Sequence, residues 1–150
     1  MFCHERGKME RLKFSEACNM AERALLGSIL LNPELKRKVI GTIKAGDFYG
    51  GKKSLHGKIY TAMITVEHPD QISVARQTYE QWLCDGKELA ELSYLVADCI
   101  TDIDWEYYMN AVLKFSVDRA TVYYTSTNEL DKVRSATARL NPEIPGGIRL

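Results

Sequence analysis

The stretch AERALLGSILLNPELKRKVIGTI, residues 21–43, decides the fold class. In its first half Leu25 pairs with Ile29 and Leu26 with Leu30 at i,i+4, which gathers the apolar side chains of a helix over about 20–31 on one inward stripe. Asn32-Pro33-Glu34 then reads as an N-cap, a first-turn proline and an acid at the positive end of the helix dipole. A second helix opens there, with Leu35, Val39, Ile40 and Ile43 inward and Gly46 as its close. Two amphipathic helices joined by a tight turn imply a helical bundle.

The same period continues outward from this stretch. A third helix over about 54–67 carries Leu55, Ile59, Ala62, Met63 and Val66, and His68-Pro69-Asp70 ends it. The fourth, about 72–84, places Ile72, Ala75, Tyr79, Trp82 and Leu83 on one side, with Gly86 as a stop and Asp70 or Ser73 as its cap. A fifth over about 88–100 puts Leu89, Leu92, Val96 and Cys99 on a seam. The sixth begins near Asp104 and runs through Tyr108, Val112 and Phe115. Thr121 to Thr127 is rich in β-branched and aromatic residues, but no second strand candidate exists to pair with it, so the helix is extended to about 135. The expected architecture is all-α: a compact bundle of about six helices, the last one long. Residues 1–18 are expected to be a flexible lead, 19–138 the helical domain and 139–150 an irregular tail.

At 150 residues, one domain is expected. Twenty Lys and Arg balance twenty Asp and Glu, which argues against binding nucleic acid through bulk charge. No apolar run approaches the ~20 residues of a membrane helix, and the opening MFCHERGKMERLKF has no signal-like stretch. Four cysteines, with Cys84 and Cys99 inside apolar helical patterns, fit a reducing, cytoplasmic setting. The neutral total conceals two lobes. Residues 36–58 hold seven cations against Asp47 alone, +6, while 67–106 hold ten acids against two cations, −8.

Catalytic patterns are absent, so no enzyme activity and no cofactor are expected. Gly46 to Ser54, GDFYGGKKS, nearly spells a phosphate loop, but Lys53 stands where the metal-reaching hydroxyl belongs, and a helix precedes it where a buried strand is needed. Cys3, His4 and Cys18 lack the paired spacing and fourth ligand of a metal site. His56 and His68 have no partner at ligand spacing. Trp105, Tyr107, Tyr108, Tyr123 and Tyr124 fit core or protein-interface roles better than a base-stacking platform, because Asp102, Asp104 and Glu106 would repel phosphate. An interaction surface is expected over Lys36, Arg37, Lys38, Lys52, Lys53, Lys114, Arg119, Tyr123 and Tyr124.

The order of segments resembles a known family. Residues 19–34, NMAERALLGSILLNPE, look like the opening of the N-terminal domain of DnaB-type replicative helicases. Asp47-Phe48-Tyr49 resembles that family's DFY, His56 to Met63 its H-x-x-I-(F/Y)-x-A-M, Leu92 to Leu95 its L-x-Y-L, and Glu106-Tyr107-Tyr108 its E-Y-Y. The likeness covers about residues 19–120 in one register. Ala24 and Gly27, one turn apart, would let another helix approach closely, and Phe48 and Tyr49 can plug the bottom of a bundle.

The resemblance implies a non-catalytic DNA-replication module that self-associates or binds a replicative helicase, primase or loader protein, with DNA contact secondary and no membrane role. A small nucleic-acid-binding bundle using residues 36–58, or a truncated helicase fragment without separate function, are the alternatives. In the family the long helix after E-Y-Y turns back as a second antiparallel helix that makes dimer contacts. Here the region after Arg119 diverges, and Asn141-Pro142 is expected to end regular structure before a full returning helix fits.

Overall fold

Leu25, Leu26 and Ile29 bury completely, as their spacing requires, on a helix α1 that spans Phe2–Leu31. The structure, a computed structural model, describes the backbone over residues 2–82, 86–99 and 101–140 and side chains over 16–81, 86–99 and 101–140. Among these residues there are seven α-helices and no strand: after α1 come α2 (Leu35–Ile40), α3 (Leu55–Thr65), α4 (Gln71–Trp82), α5 (Gly86–Asp98), α6 (Trp105–Ser126) and α7 (Leu130–Ala138). A 3-10 turn, Ala45–Asp47, lies between α2 and α3. The expected all-α bundle is the observed one, with six substantial helices and a long α6. Helix α1 packs along α6 and α5, α3 packs on α4 and α5, and α7 lies against α6. Leu25, Leu26, Ile29, Val39, Phe48, Ile59, Tyr60, Met63, Leu92, Leu95 and Val112 form one continuous core.

Several local expectations are corrected. Helix α1 begins well before residue 20. Helix α2 is shorter than expected, ending at Ile40 with Gly41 after it, and Ile40 is exposed while Gly46 sits inside the 3-10 turn. Asn32 caps nothing with its side chain; its Nδ2 reaches 3.0 Å across to Asp102 Oδ2. On α4 the inward pair is Val74 and Thr78, whereas Ile72, 76% exposed, and Tyr79 face out. Thr78 can turn inward because its hydroxyl donates to Val74 O at 2.7 Å, leaving no unpaired polar group. Asp70 and Ser73 cap α4 reciprocally: Ser73 N donates to Asp70 Oδ1 at 2.8 Å and Asp70 N to Ser73 Oγ at 3.1 Å. Gly86 opens α5 instead of stopping α4, and the α5 seam is Glu88, Glu91, Leu92 and Leu95, with Leu89 and Val96 exposed.

The long helix does not reach 135. It ends at Ser126, and Asn128 takes a positive φ of 60°, the left-handed conformation that asparagine tolerates better than most residues. A nine-residue helix, α7, then returns along α6, so the chain does fit a short version of the returning helix. Expectations for Leu83, Cys84 and residues 141–150, and for the side chains of Cys3, His4 and Trp82, fall outside the described residues.

Candidate interaction surface

Two buried polar ties hold the surface-bearing helices in place. The first joins α1, α3 and α5. His56 of α3 has Nδ1 2.7 Å from Glu22 Oε1 of α1 and Nε2 2.5 Å from Glu91 Oε2 of α5. Each ring nitrogen faces a carboxylate, so the imidazolium, with two donors, is the form that satisfies both. Arg23 completes the set with a forked pair, Nε and Nη2 each donating to Glu91 at 2.8 Å. Burial alone would lower the His56 pKa, but the hydrogen bonds to Glu22 and Glu91 outweigh it and raise it. Glu91 is likewise held down to about 2, burial being outweighed by His56 and Arg23. Glu22 Oε2 also accepts from Tyr49 N at 2.7 Å and from the Cys18 thiol. Burial, with Glu22 beside it, pushes Cys18 up to about 11, which makes it a poor nucleophile.

The second tie centres on Asp47. Its Oδ1 accepts from Ser116 Oγ and Arg139 Nη1, and its Oδ2 from Lys44 N and Arg139 Nη2, all at 2.7 Å. Its carbonyl accepts from Arg119 Nη2 at 2.6 Å. These bonds outweigh burial and lower the Asp47 pKa. One carboxylate thereby joins the 3-10 turn to both α6 and α7. The ring of Phe48 points inward against Tyr60, 5.1 Å between centroids, and Tyr60 Oη donates to Ile43 O at 2.7 Å. Tyr49 was expected to plug the bundle as well, but it is 62% exposed, with the Arg119 guanidinium 5.5 Å over its ring. Adjacent residues in an extended turn point apart, and Phe48 takes the inward place.

The near-phosphate loop is a structural turn. Gly50 and Gly51 adopt φ of 86° and 84°, and Ser54 caps α3 by accepting from Gly57 N at 3.1 Å. Gly57 lies so close to the backbone of Gly51 and Lys52 that any Cβ would collide with it.

The residues expected to form an interaction surface lie on α2, on the turn before α3 and on α6. Lys36 Nζ donates to the carbonyls of Val66 and Glu67, serving the end of α3. Lys38 lies 5.6 Å over the Trp105 ring. Arg37, Lys52 and Lys53 are exposed on α2 and the turn before α3. Arg119 is spent on Asp47, Cys18 and Tyr49. Lys114 and Tyr123 are exposed on α6, while Tyr124 is half-buried with Lys132 5.4 Å over its ring. The His56 and Asp47 ties were missed because their partners lie 34 or more residues away in sequence. Their local signal was a histidine inside the otherwise apolar stripe of α3 and a single acid in the turn before it.

Comparison with known proteins agrees with this arrangement. The family described as DnaB-like helicase N-terminal domain matches residues 16–114. Among solved structures, the crystal structure of the N-terminal domain of DnaB helicase from Mycobacterium tuberculosis shares the fold, with a TM-score of 0.64 and 23% identity over 80% of this chain and 93% of that one. No curated protein matches the chain. No described helix is long and apolar enough to cross a membrane. The motifs that carry the family likeness, from Glu22 through Asp47 and His56 to Tyr108, are also those that tie the bundle together, and the chain belongs to the DnaB-like helicase N-terminal domain family, a non-catalytic interaction module of the replication machinery.

Proposed function

We propose that the chain acts by occupying a helical interface, binding a replicative helicase, primase or loader protein or a second copy of itself, and so recruiting or blocking assembly. The observation that carries this reading is the set of large apolar side chains that α6 and α7 leave exposed, Tyr107, Val122, Tyr123 and Leu130. Tyr123 of the expected surface is one of them. Light scattering gives the mass in solution, and a pull-down against replicative helicase and primase tests for a partner. Capture of either, or a stable oligomer, is the expected result; a strict monomer that captures neither would sink the reading.

A DNA contact through Arg37, Lys52 and Lys53 is the second reading, favoured by their exposure. Lys36 and Lys58 contribute less, since Lys36 serves the α3 carbonyls and Lys58 reaches Glu88 at 3.2 Å. Fluorescence anisotropy with single- and double-stranded DNA at low salt decides it, because phosphate contacts weaken steeply as salt rises.

A further inference from the structure

We propose that the trough between α1, α5 and the start of α6 is a docking site for a partner segment whose apolar side chains are flanked by lysine or arginine. This rests on the reading that the chain works by binding protein, and it names a surface that includes none of the exposed side chains Tyr107, Val122, Tyr123 and Leu130. The trough is a half-open groove of about 380 Å³. Its floor is Ala24, Leu95, Cys99 and Tyr108, all buried or half-buried. Met20, 69% exposed, and Tyr94 stand on its edge, where large apolar side chains remain in water. A volume of this size with a mostly apolar lining suits a small cluster of side chains.

Charge selects the occupant. Asp98 and Asp104 are exposed at the mouth and belong to the −8 lobe. Arg23 is the cation among the lining residues, but its Nε and Nη2 are committed to the buried Glu91 carboxylate, which offsets its charge. The mouth is therefore net negative. It attracts cations and repels phosphate, so the ligand is a basic, apolar peptide segment and not a nucleic acid. The walls are also set in advance. Arg23 lies 5.8 Å over the Tyr94 ring and is gripped by Glu91, and Gly27 brings α5 against α1 at Cys99. A rigid trough keeps the ordering cost of binding low.

The test is to titrate the full chain with a helical peptide of leucine and lysine, and with a matched peptide of leucine and glutamate, followed by NMR amide shifts and calorimetry. The leucine–lysine peptide is expected to bind, to shift amides around residues 20–27 and 94–108, and to weaken with added salt. Asp98→Lys combined with Asp104→Lys should weaken it roughly tenfold, the effect of two rim charges, and should admit the glutamate peptide. Ala24→Phe, which fills the floor, should abolish binding while circular dichroism stays unchanged. No binding, shifts confined to other surfaces, or an affinity indifferent to the charge reversals would overturn the proposal. The same amide shifts on concentrating the chain alone would assign the trough to a second copy and overturn the partner assignment. Pull-down with helicase and primase is run on the same reversed variant: capture that persists without peptide binding leaves the interaction reading standing and removes only the trough.

Discussion

His56 joins three helices through one ring, because two carboxylates from two other helices face its two nitrogens. Replacing it with alanine leaves the buried Glu22 without its cation and Glu91 with Arg23 alone, and the expected loss is about 3–5 kcal/mol. The pH dependence follows from the two shifts. His56 has its pKa raised above 6.5 on folding, so its stabilisation is complete below 6.5 and is lost as pH rises through the raised value. Glu91 is lowered from 4.5 to about 2, so its stabilisation is complete above 4.5 and is lost as pH falls towards 2. The urea midpoint should therefore be highest between about 4.5 and 6.5, falling on both sides, and His56→Gln should flatten the alkaline limb. Equal midpoints for the natural chain at pH 6 and pH 9 would contradict this account.

At the scale of elements, the close contact of α1 with α5 depends on Gly27. A Cβ there would stand 2.6 Å from Cys99 Cβ and 3.2 Å from Leu95 O, and a backbone atom cannot swing aside as a side-chain end can. Gly27→Ala gains about 1 kcal/mol of helix propensity but overpacks the contact at about 1–3 kcal/mol. The expected outcome is a net loss of stability in thermal unfolding, partly restored by adding Cys99→Gly; a variant more stable than the natural chain would show that α5 simply shifts. Ala24 and Gly27 announced this approach in the sequence, as did the periods of α1, α3 and α6. What periodicity misplaced were the faces of α4 and α5. Ile72, Tyr79, Leu89 and Val96 are apolar and exposed, while Thr78, Glu88 and Glu91 are polar and buried, because Thr78 bonds back to Val74 O and the two carboxylates meet Lys58, His56 and Arg23 on other helices. A rule that sends apolar inward and charged outward cannot see a carboxylate whose partner is on another helix. The break at Asn128 was illegible for a different reason: neighbouring Thr127 and Glu129 carry no Gly or Pro to mark it.

Across the whole molecule, the Asp47 tie decides whether α7 belongs to the bundle, since α7 has no fully buried residue and only Ala136 packs against the core from it. Arg139→Ala removes the forked pair and should leave α7 weaker by about 1–3 kcal/mol, the range for hydrogen bonds to a charged group. In hydrogen exchange, amides of Leu130–Ala138 should lose protection while those of α1 and α3 keep theirs. Unchanged exchange in α7 would mean that its hold on the bundle comes from elsewhere. The zero net charge also takes on structure at this scale, because part of the +6 lobe is answered at home by Val66, Glu67, Glu88 and Trp105, whereas Asp98 and Asp104 of the −8 lobe remain at the surface. The two ties together reach α1, α3, α5, α6, α7 and the turn after α2. Their joint presence bears on descent: a lineage that changes Glu22, His56 or Glu91 singly passes through a chain with a stranded buried charge, whereas exchanging all three for well-packed apolar residues can be neutral or better. Glu22, His56 and Glu91 should therefore change together rather than singly as this bundle diverges.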